Sequence, residues 1–163
     1  MKIAVCPGSF DPVTVGHVDI ITRASKMFDH VIVAVLCNSS KQPTFTIDER
    51  IDLLKTALSD IKNIEISSFD GLLADFAKEK NATAIVKGLR AVSDFEYEFQ
   101  MSLINKSLNP NLETIFLTTS AENMYLSSSV VKEICCLNGD ISKFVPKSIY
   151  KTVTKRLSRE DKK

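Results

Sequence analysis

Tryptophan is absent from this 163-residue chain, and aromatic residues of all kinds make up 7% of it. With no indole to stack on an isoalloxazine ring, a flavin-based electron carrier has little support. Histidine is scarce as well: His17 and His30 are the two present. The four cysteines, Cys6, Cys37, Cys135 and Cys136, form no C-x-x-C pair. This argues against a zinc site, and in a reducing compartment the thiols read as buried or half-buried. Long apolar runs are missing too. The longest covers seven residues, 31–37, against the ~20 needed to cross a bilayer. The N-terminus carries no stretch of signal-peptide length, so the expected location is the cytoplasm, without a membrane partner. Neither sign of charge dominates: 21 Lys and Arg stand against 20 Asp and Glu, a net +1. Without a global basic field there is no pointer to nucleic acid, and any anionic ligand must be gripped locally. Five glycines and five prolines exclude collagen and low-complexity sequence.

What is present is an ordinary globular composition, 44% hydrophobic and 25% charged. A chain of this length reads as one domain, 1–163, with a short charged tail after about 157. It can bury roughly 70% of its unfolded surface and needs no disulfide or metal staple. Strand-like and helix-like segments alternate along it. Residues 3–6 form a short apolar run that Pro7-Gly8 should stop, and 16–28 place Ile21, Ala24 and Phe28 at helical spacing. The β-rich run 31–37 suits a strand covered on both faces. Thr46 with Glu49 reads as a capping box ahead of an apolar stripe, Ile47, Ile51, Leu54 and Leu58. Strands are expected at 64–68, 84–87 and 114–117, and helices around 72–77, from a Ser93/Glu96 capping box to about 108, and over 128–137. Asp140 could cap a turn, Pro146 suits the first turn of a last helix, and the chain after Thr154 should fray. This alternation predicts an α/β protein: a Rossmann-like, doubly wound, five-stranded parallel sheet with helices on both faces. Ligands of such sheets bind beyond the carboxyl ends of the strands.

Four places just after predicted strands carry chemistry. In 7–17, glycines bracket a turn and His17 falls in the first turn of a helix, where free N–H groups and the helix dipole favour phosphate. Ser9 and Thr14 add hydroxyls. In 87–90, Lys87 and Arg90 flank Gly88, so cations stand where backbone can approach a ligand, and Glu96 and Glu98 follow. Ser127, Ser128 and Ser129 open a helix, and Lys41 lies in a polar loop after the second strand. Each alone has a bland reading, as a turn, a helix cap or a solvated cation. Together they would gather cations and N–H donors on one rim, which suits a polyphosphate. No G-x-x-x-x-G-K-[ST] or G-x-G motif is present.

Pro7-Gly8-Ser9-Phe10-Asp11-Pro12-Val13-Thr14-Val15-Gly16-His17 resembles the T/H-x-G-H signature of the nucleotidyltransferase superfamily, and 127–132 resembles its I-S-S-x-x-x-K/R signature. Lys87-Gly88-Leu89-Arg90-Ala91-Val92-Ser93-Asp94-Phe95-Glu96-Tyr97-Glu98 is similar to the R-G-L-R-x-x-x-D-F-E-Y-E block of bacterial phosphopantetheine adenylyltransferases. The likeness runs from about Lys2 to Leu157. It implies transfer of AMP from ATP to 4′-phosphopantetheine, giving dephospho-coenzyme A and pyrophosphate, without a covalent enzyme intermediate. Carried over by position, His17, Lys41 and Ser9 would be catalytic. ATP would meet Ser9, Phe10, His17, Gly88, Leu89, Arg90, Glu98 and the loop Asn123, Met124, Tyr125, Leu126, Ser127, Ser128 and Ser129. The acceptor would meet Ser9, Lys41, Leu73 and Lys87. The resemblance also implies Mg2+ carried mainly by ATP phosphates, coenzyme A as a candidate feedback ligand, and a homohexamer. The apolar surplus at Phe95, Tyr97, Phe99, Met101, Leu103 and Ile104 suits such an interface or a deep core.

Three positions depart from the family pattern: Lys87 stands where the family more often has arginine, Ser9 replaces the commoner threonine, and Asn123 stands where some relatives carry an aromatic. Lysine keeps the charge but loses the bidentate fork. Sister enzymes that act on nicotinate mononucleotide, or on glycerol phosphate with CTP, are alternatives which the 87–98 block disfavours. A non-catalytic nucleotide sensor on the same fold is another.

Overall fold

The computed structural model describes residues 1–37, 42–90 and 92–158. Strands β1 (Ile3–Gly8), β2 (His30–Leu36), β3 (Ile64–Phe69), β4 (Ala84–Leu89) and β5 (Glu113–Thr118) alternate with helices α1 (Val15–Met27), α2 (Ile47–Ala57), α3 (Leu73–Glu79) and α4 (Val92–Leu108). Helices α5 (Ser128–Cys136) and α6 (Tyr150–Leu157) follow β5. Neighbouring strands are all parallel, in the order β3-β2-β1-β4-β5, which is the expected doubly wound sheet.

The chain winds outward from β1 to β3, returns to the centre, and winds the other way through β4 and β5. The reversal therefore falls between β1 and β4, the place where such sheets bind ligands. Register shows how the crevice opens. β1 pairs with β2 along its whole length, from Ile3–His30 to Gly8–Val35. With β4 it pairs only at Ala4–Ala84 and Val5–Ile85. Beyond those residues the two central strands part.

Side-chain alternation sends each strand's apolar residues to two cores. Ala4, Cys6, Val31, Val33, Val35 and Val86 face a large cluster closed by α1, α2, α5 and α6. Val5, Ile32, Ala34 and Ile85 face a smaller one closed by Phe76 and Ala77 of α3. α4 leaves Phe95, Tyr97, Phe99, Leu103, Ile104 and Leu108 exposed, so its apolar surplus does not lie in a deep core.

The sequence boundaries shift in several places, and β4 for one runs on through Gly88 to Leu89. Pro7-Gly8 does not stop β1; both residues pair with β2. β1 has already parted from β4 there, and a proline is tolerated on such a locally open edge. The true turn comes at Phe10, with φ 48°, and a cis Asp11–Pro12 bond. α4 opens at Val92, so Ser93 lies inside the helix rather than capping it. Pro146 accepts the Ile149 N–H at 3.1 Å in a separate turn, and α6 starts only at Tyr150. α6 also does not fray at Thr154: Val153 and Leu157, one turn apart, are both buried against the larger core. The Thr46/Glu49 capping box forms as expected, with both reciprocal bonds. So does the Asp140 turn, in which the Ser142 N–H donates to Oδ1 at 2.8 Å.

Candidate active site

An open cavity of about 490 Å³ lies over the carboxyl ends of β1 and β4. It is built first by the start of α1. Thr14 is the N-cap, and its Oγ1 accepts the His17 N–H at 3.3 Å. The His17 ring returns the bond: Nδ1 accepts the Thr14 N–H at 3.0 Å. This is a capping box in which histidine takes the place usually held by glutamate or glutamine. The backbone N–H can only donate, so Nδ1 is the acceptor, and the proton of the neutral ring sits on Nε2. Burial, with the Arg90 charge nearby, pushes the His17 pKa down to about 4. The imidazole is therefore neutral at physiological pH, a hydrogen-bond donor rather than one of the rim's cations. The edge of the Phe10 ring supports it, centroids 5.1 Å apart.

The cap also consumes groups that the sequence offered to a ligand. The Thr14 hydroxyl holds His17, and the Val15 N–H donates to Phe144 O at 3.0 Å. Two of the first three helical N–H groups are thus engaged within the protein. Phe10 lies buried across Gly8: a Cβ there would sit 2.8 Å from Phe10 Cζ. The glycine is required by that ring's close approach.

The second wall is the end of β4. Gly88 packs on α1, where an added Cβ would meet Ile20 Cγ1 at 2.9 Å. Lys87 Nζ donates to Glu98 Oε2 at 2.6 Å, so these two residues, assigned separately by resemblance to acceptor and nucleotide, hold each other in this structure. Arg90 Nη1 donates to Leu126 O at 2.9 Å, tying β4's end to the loop before α5. The third wall is α5. Ser127 caps it by accepting the Val130 N–H at 3.2 Å. Ser128 Oγ donates to Pro12 O at 2.8 Å, joining α5 to the first loop.

Of the expected site residues, Ser9, Phe10, His17, Lys87, Gly88, Arg90, Glu98, Asn123, Leu126, Ser127, Ser128 and Ser129 line this one cavity. Leu89, Met124 and Tyr125 are not among its lining residues; Met124 and Tyr125 are exposed, and the Tyr125 ring meets Phe144 edge-on. Leu73 packs against the smaller core at the start of α3. Lys41 lies outside the described residues.

Sequence reasoning gave no role to three charged residues that build the site. Asp11 and Arg50 are buried, and Lys132 lines the cavity. Arg50 Nη1 donates to Ser9 O at 2.9 Å and Leu36 O at 3.4 Å, and its Nε donates to Thr46 O at 3.3 Å. One guanidinium thus ties the first turn, the end of β2 and the start of α2 together. Its signal was present: Arg50 stands between Ile47 and Leu54 on the apolar stripe, a cation on a buried face. Lys132 closes the second quoted signature, and Asp11 stands inside the first.

Residues 5–134 match the family model described as cytidylyltransferase-like. The chain is 58% identical to the phosphopantetheine adenylyltransferase of Caldanaerobacter subterraneus subsp. tengcongensis, over 98% of this chain and 99% of that one. To the phosphopantetheine adenylyltransferase of Vesicomyosocius okutanii subsp. Calyptogena okutanii it is 57% identical, over 96% and 99%. The fold also matches Plasmodium falciparum nicotinic acid mononucleotide adenylyltransferase, with a TM-score of 0.68 at 17% identity over 96% of each chain. A match of the family model over most of the chain, and relatives identical at more than half of their positions along nearly their whole length, place this chain in the phosphopantetheine adenylyltransferase family of cytidylyltransferase-like nucleotidyltransferases.

Proposed function

We propose that this protein transfers AMP from ATP to 4′-phosphopantetheine, forming dephospho-coenzyme A and pyrophosphate, as a single catalytic domain. An oxygen of the acceptor's phosphate attacks the α-phosphorus of ATP. The bond from that phosphorus to the bridging oxygen breaks, and pyrophosphate leaves with the electron pair. The nucleophile is already an anion at neutral pH, so no general base is required and no covalent enzyme intermediate forms. Catalysis rests instead on positioning two anions and on donors aimed at the charge that develops.

The observation that carries this reading is the His17 ring, held by its helix cap in the wall of the cavity. Its Nδ1 is committed to Thr14, which leaves the Nε2–H to face the cavity and donate to the α-phosphate oxygens as they gain charge. Arg90, just past β4, supplies positive charge beside it, as does Lys87 of β4 once released from Glu98, and the serines at the start of α5 supply hydroxyls. Lys41 completes the acceptor side of this reading. Among the described residues no three His, Cys, Asp or Glu side chains gather as a metal cage. The two carboxylates lining the cavity, Asp11 and Glu98, are already bonded to lysines. This donor set fits magnesium that enters with ATP, held by phosphate oxygens and water. Coenzyme A, which shares the pantetheine arm, would compete for the acceptor side.

The exposed apolar residues of α4 support assembly as a homohexamer, with α4 at contacts between copies. Among the described residues no helix is long and apolar enough to cross a membrane. With highly charged substrates, this supports a place in the cytoplasm.

The test is mass spectrometry of the protein with ATP, magnesium and 4′-phosphopantetheine. Dephospho-coenzyme A is expected. Product from nicotinate mononucleotide, or from glycerol phosphate with CTP, and none from 4′-phosphopantetheine would replace this reading. Tight ATP binding with no product from any acceptor would point to a sensor.

A further inference from the structure

Asp11 is a buried carboxylate, 6% exposed, at the edge of a cavity suited to anions. An anion there opposes the ligand unless it serves a purpose. Its two oxygens make three bonds. Oδ1 accepts the Phe45 N–H at 2.9 Å, and Oδ2 accepts the Thr44 N–H at 3.0 Å and the Lys132 ammonium at 2.8 Å. Burial alone would raise its pKa, but Lys132 and the two N–H groups hold the carboxyl below its ordinary value. It stays ionised.

Lys132 rises from α5 one turn after the serines that line the cavity, and it lines the cavity too. A lysine stem has many rotamers to lose on binding, and its ammonium has three donors. Bonding to Asp11 fixes the stem beforehand and leaves protons free for a phosphate oxygen. The partner's own position is well determined, since Thr44 and Phe45 hold the carboxylate on one side and Ser128 holds the adjacent Pro12 carbonyl.

We propose that Asp11 is a positioning residue which holds the Lys132 ammonium at the serine-lined end of the cavity, so that a cation stands ready for the β- and γ-phosphates of the nucleotide before it arrives. The proposal rests on ATP as the donor in the reading above. Asp11 acts through Lys132 and does not touch substrate.

A double-mutant cycle tests it, with Asp11→Asn, Lys132→Met and the pair measured by pyrophosphate release against varied ATP and varied 4′-phosphopantetheine. Asp11→Asn should raise KM for ATP about tenfold, the size expected for loss of a charged hydrogen bond. KM for the acceptor should stay within about twofold. The double variant should be no worse than Lys132→Met alone, because the first change matters only through the second residue. Losses that multiply, an unchanged KM for ATP, or equal increases in both KM values would overturn the proposal and show a purely structural carboxylate. If Asp11→Asn does not fold, Asp11→Glu enters the same cycle with the same expectation and the same refutation. Wild-type protein that forms no dephospho-coenzyme A would defeat the functional reading, and the proposal with it. Wild-type turnover with multiplying losses would defeat the proposal alone.

Discussion

His17 spends one ring nitrogen on the Thr14 N–H, and its ring lines the cavity. His17→Ala should therefore lower kcat by about two to four powers of ten, the range for one transition-state donor, with an unchanged circular dichroism spectrum. The depressed pKa sets two pH effects. In kcat/KM, no limb due to His17 should appear near pH 6.5; only as pH falls toward about 4 does protonation of Nδ1 break its bond to the Thr14 N–H and loosen the ring's aim. Stability follows the same titration. Between pH 6.5 and about 4 the unfolded chain takes up a proton that the folded imidazole refuses, so folding weakens as pH falls through that window. Thermal melts of wild type and His17→Gln should show the wild type losing more over this interval; parallel losses would contradict the neutral assignment. At this scale the sequence was legible where a role is local. His17, Ser9, Lys87, Arg90 and the serines stand in short contiguous motifs. Asp11 stands in such a motif and Arg50 on an apolar stripe, but their roles are not local, because their partners lie far along the chain: Asp11 meets Lys132 across 121 positions, and Arg50 meets Ser9 across 41.

Strands and helices were easier to find than their ends. The central strands β1, β2 and β4 show as apolar runs, since both sheet faces are covered there, whereas the edge strand β3 mixes Glu65, Ser67 and Ser68 with its apolar residues. The limits depend on neighbours that the pattern does not name. β1 continues through Pro7 because β2 still pairs with it, and α6 holds past Thr154 because Leu157 finds the larger core. Near the cavity, Gly88 of β4 lies close against Ile20 of α1, 2.9 Å from an added Cβ. Gly88→Ala should force α1 outward or Ile20 off its rotamer, costing about 1–3 kcal/mol. Since α1 carries His17, turnover should fall as well. Adding Ile20→Ala removes the clashing atom and should recover part of the activity while costing core packing. Denaturation midpoints and kcat for the three variants check this, and a Gly88→Ala protein with wild-type values would refute it.

For the molecule as a whole, α4 is where the fold looks unfinished. Tyr97 and Leu103 are 63% and 56% exposed, and Phe95 stacks on Phe99 at 5.6 Å between ring centroids in the same exposed run. Light scattering should report a particle several times the 18.1 kDa of one chain. Tyr97→Asp with Leu103→Asp should reduce it toward the monomer without melting the sheet, because neither side chain belongs to the cores. Wild-type protein that scatters as a monomer would remove the assembly. The division of labour inside the molecule has a longer reach. The imidazole that lines the cavity is held by its own helix cap, through a threonine three residues away. Residues of the other walls that do not press on α1, as Gly88 does, can be exchanged, by drift or by an engineer, without re-aiming it. A scaffold arranged in this way can inherit its chemistry intact while its choice of acceptor is rewritten.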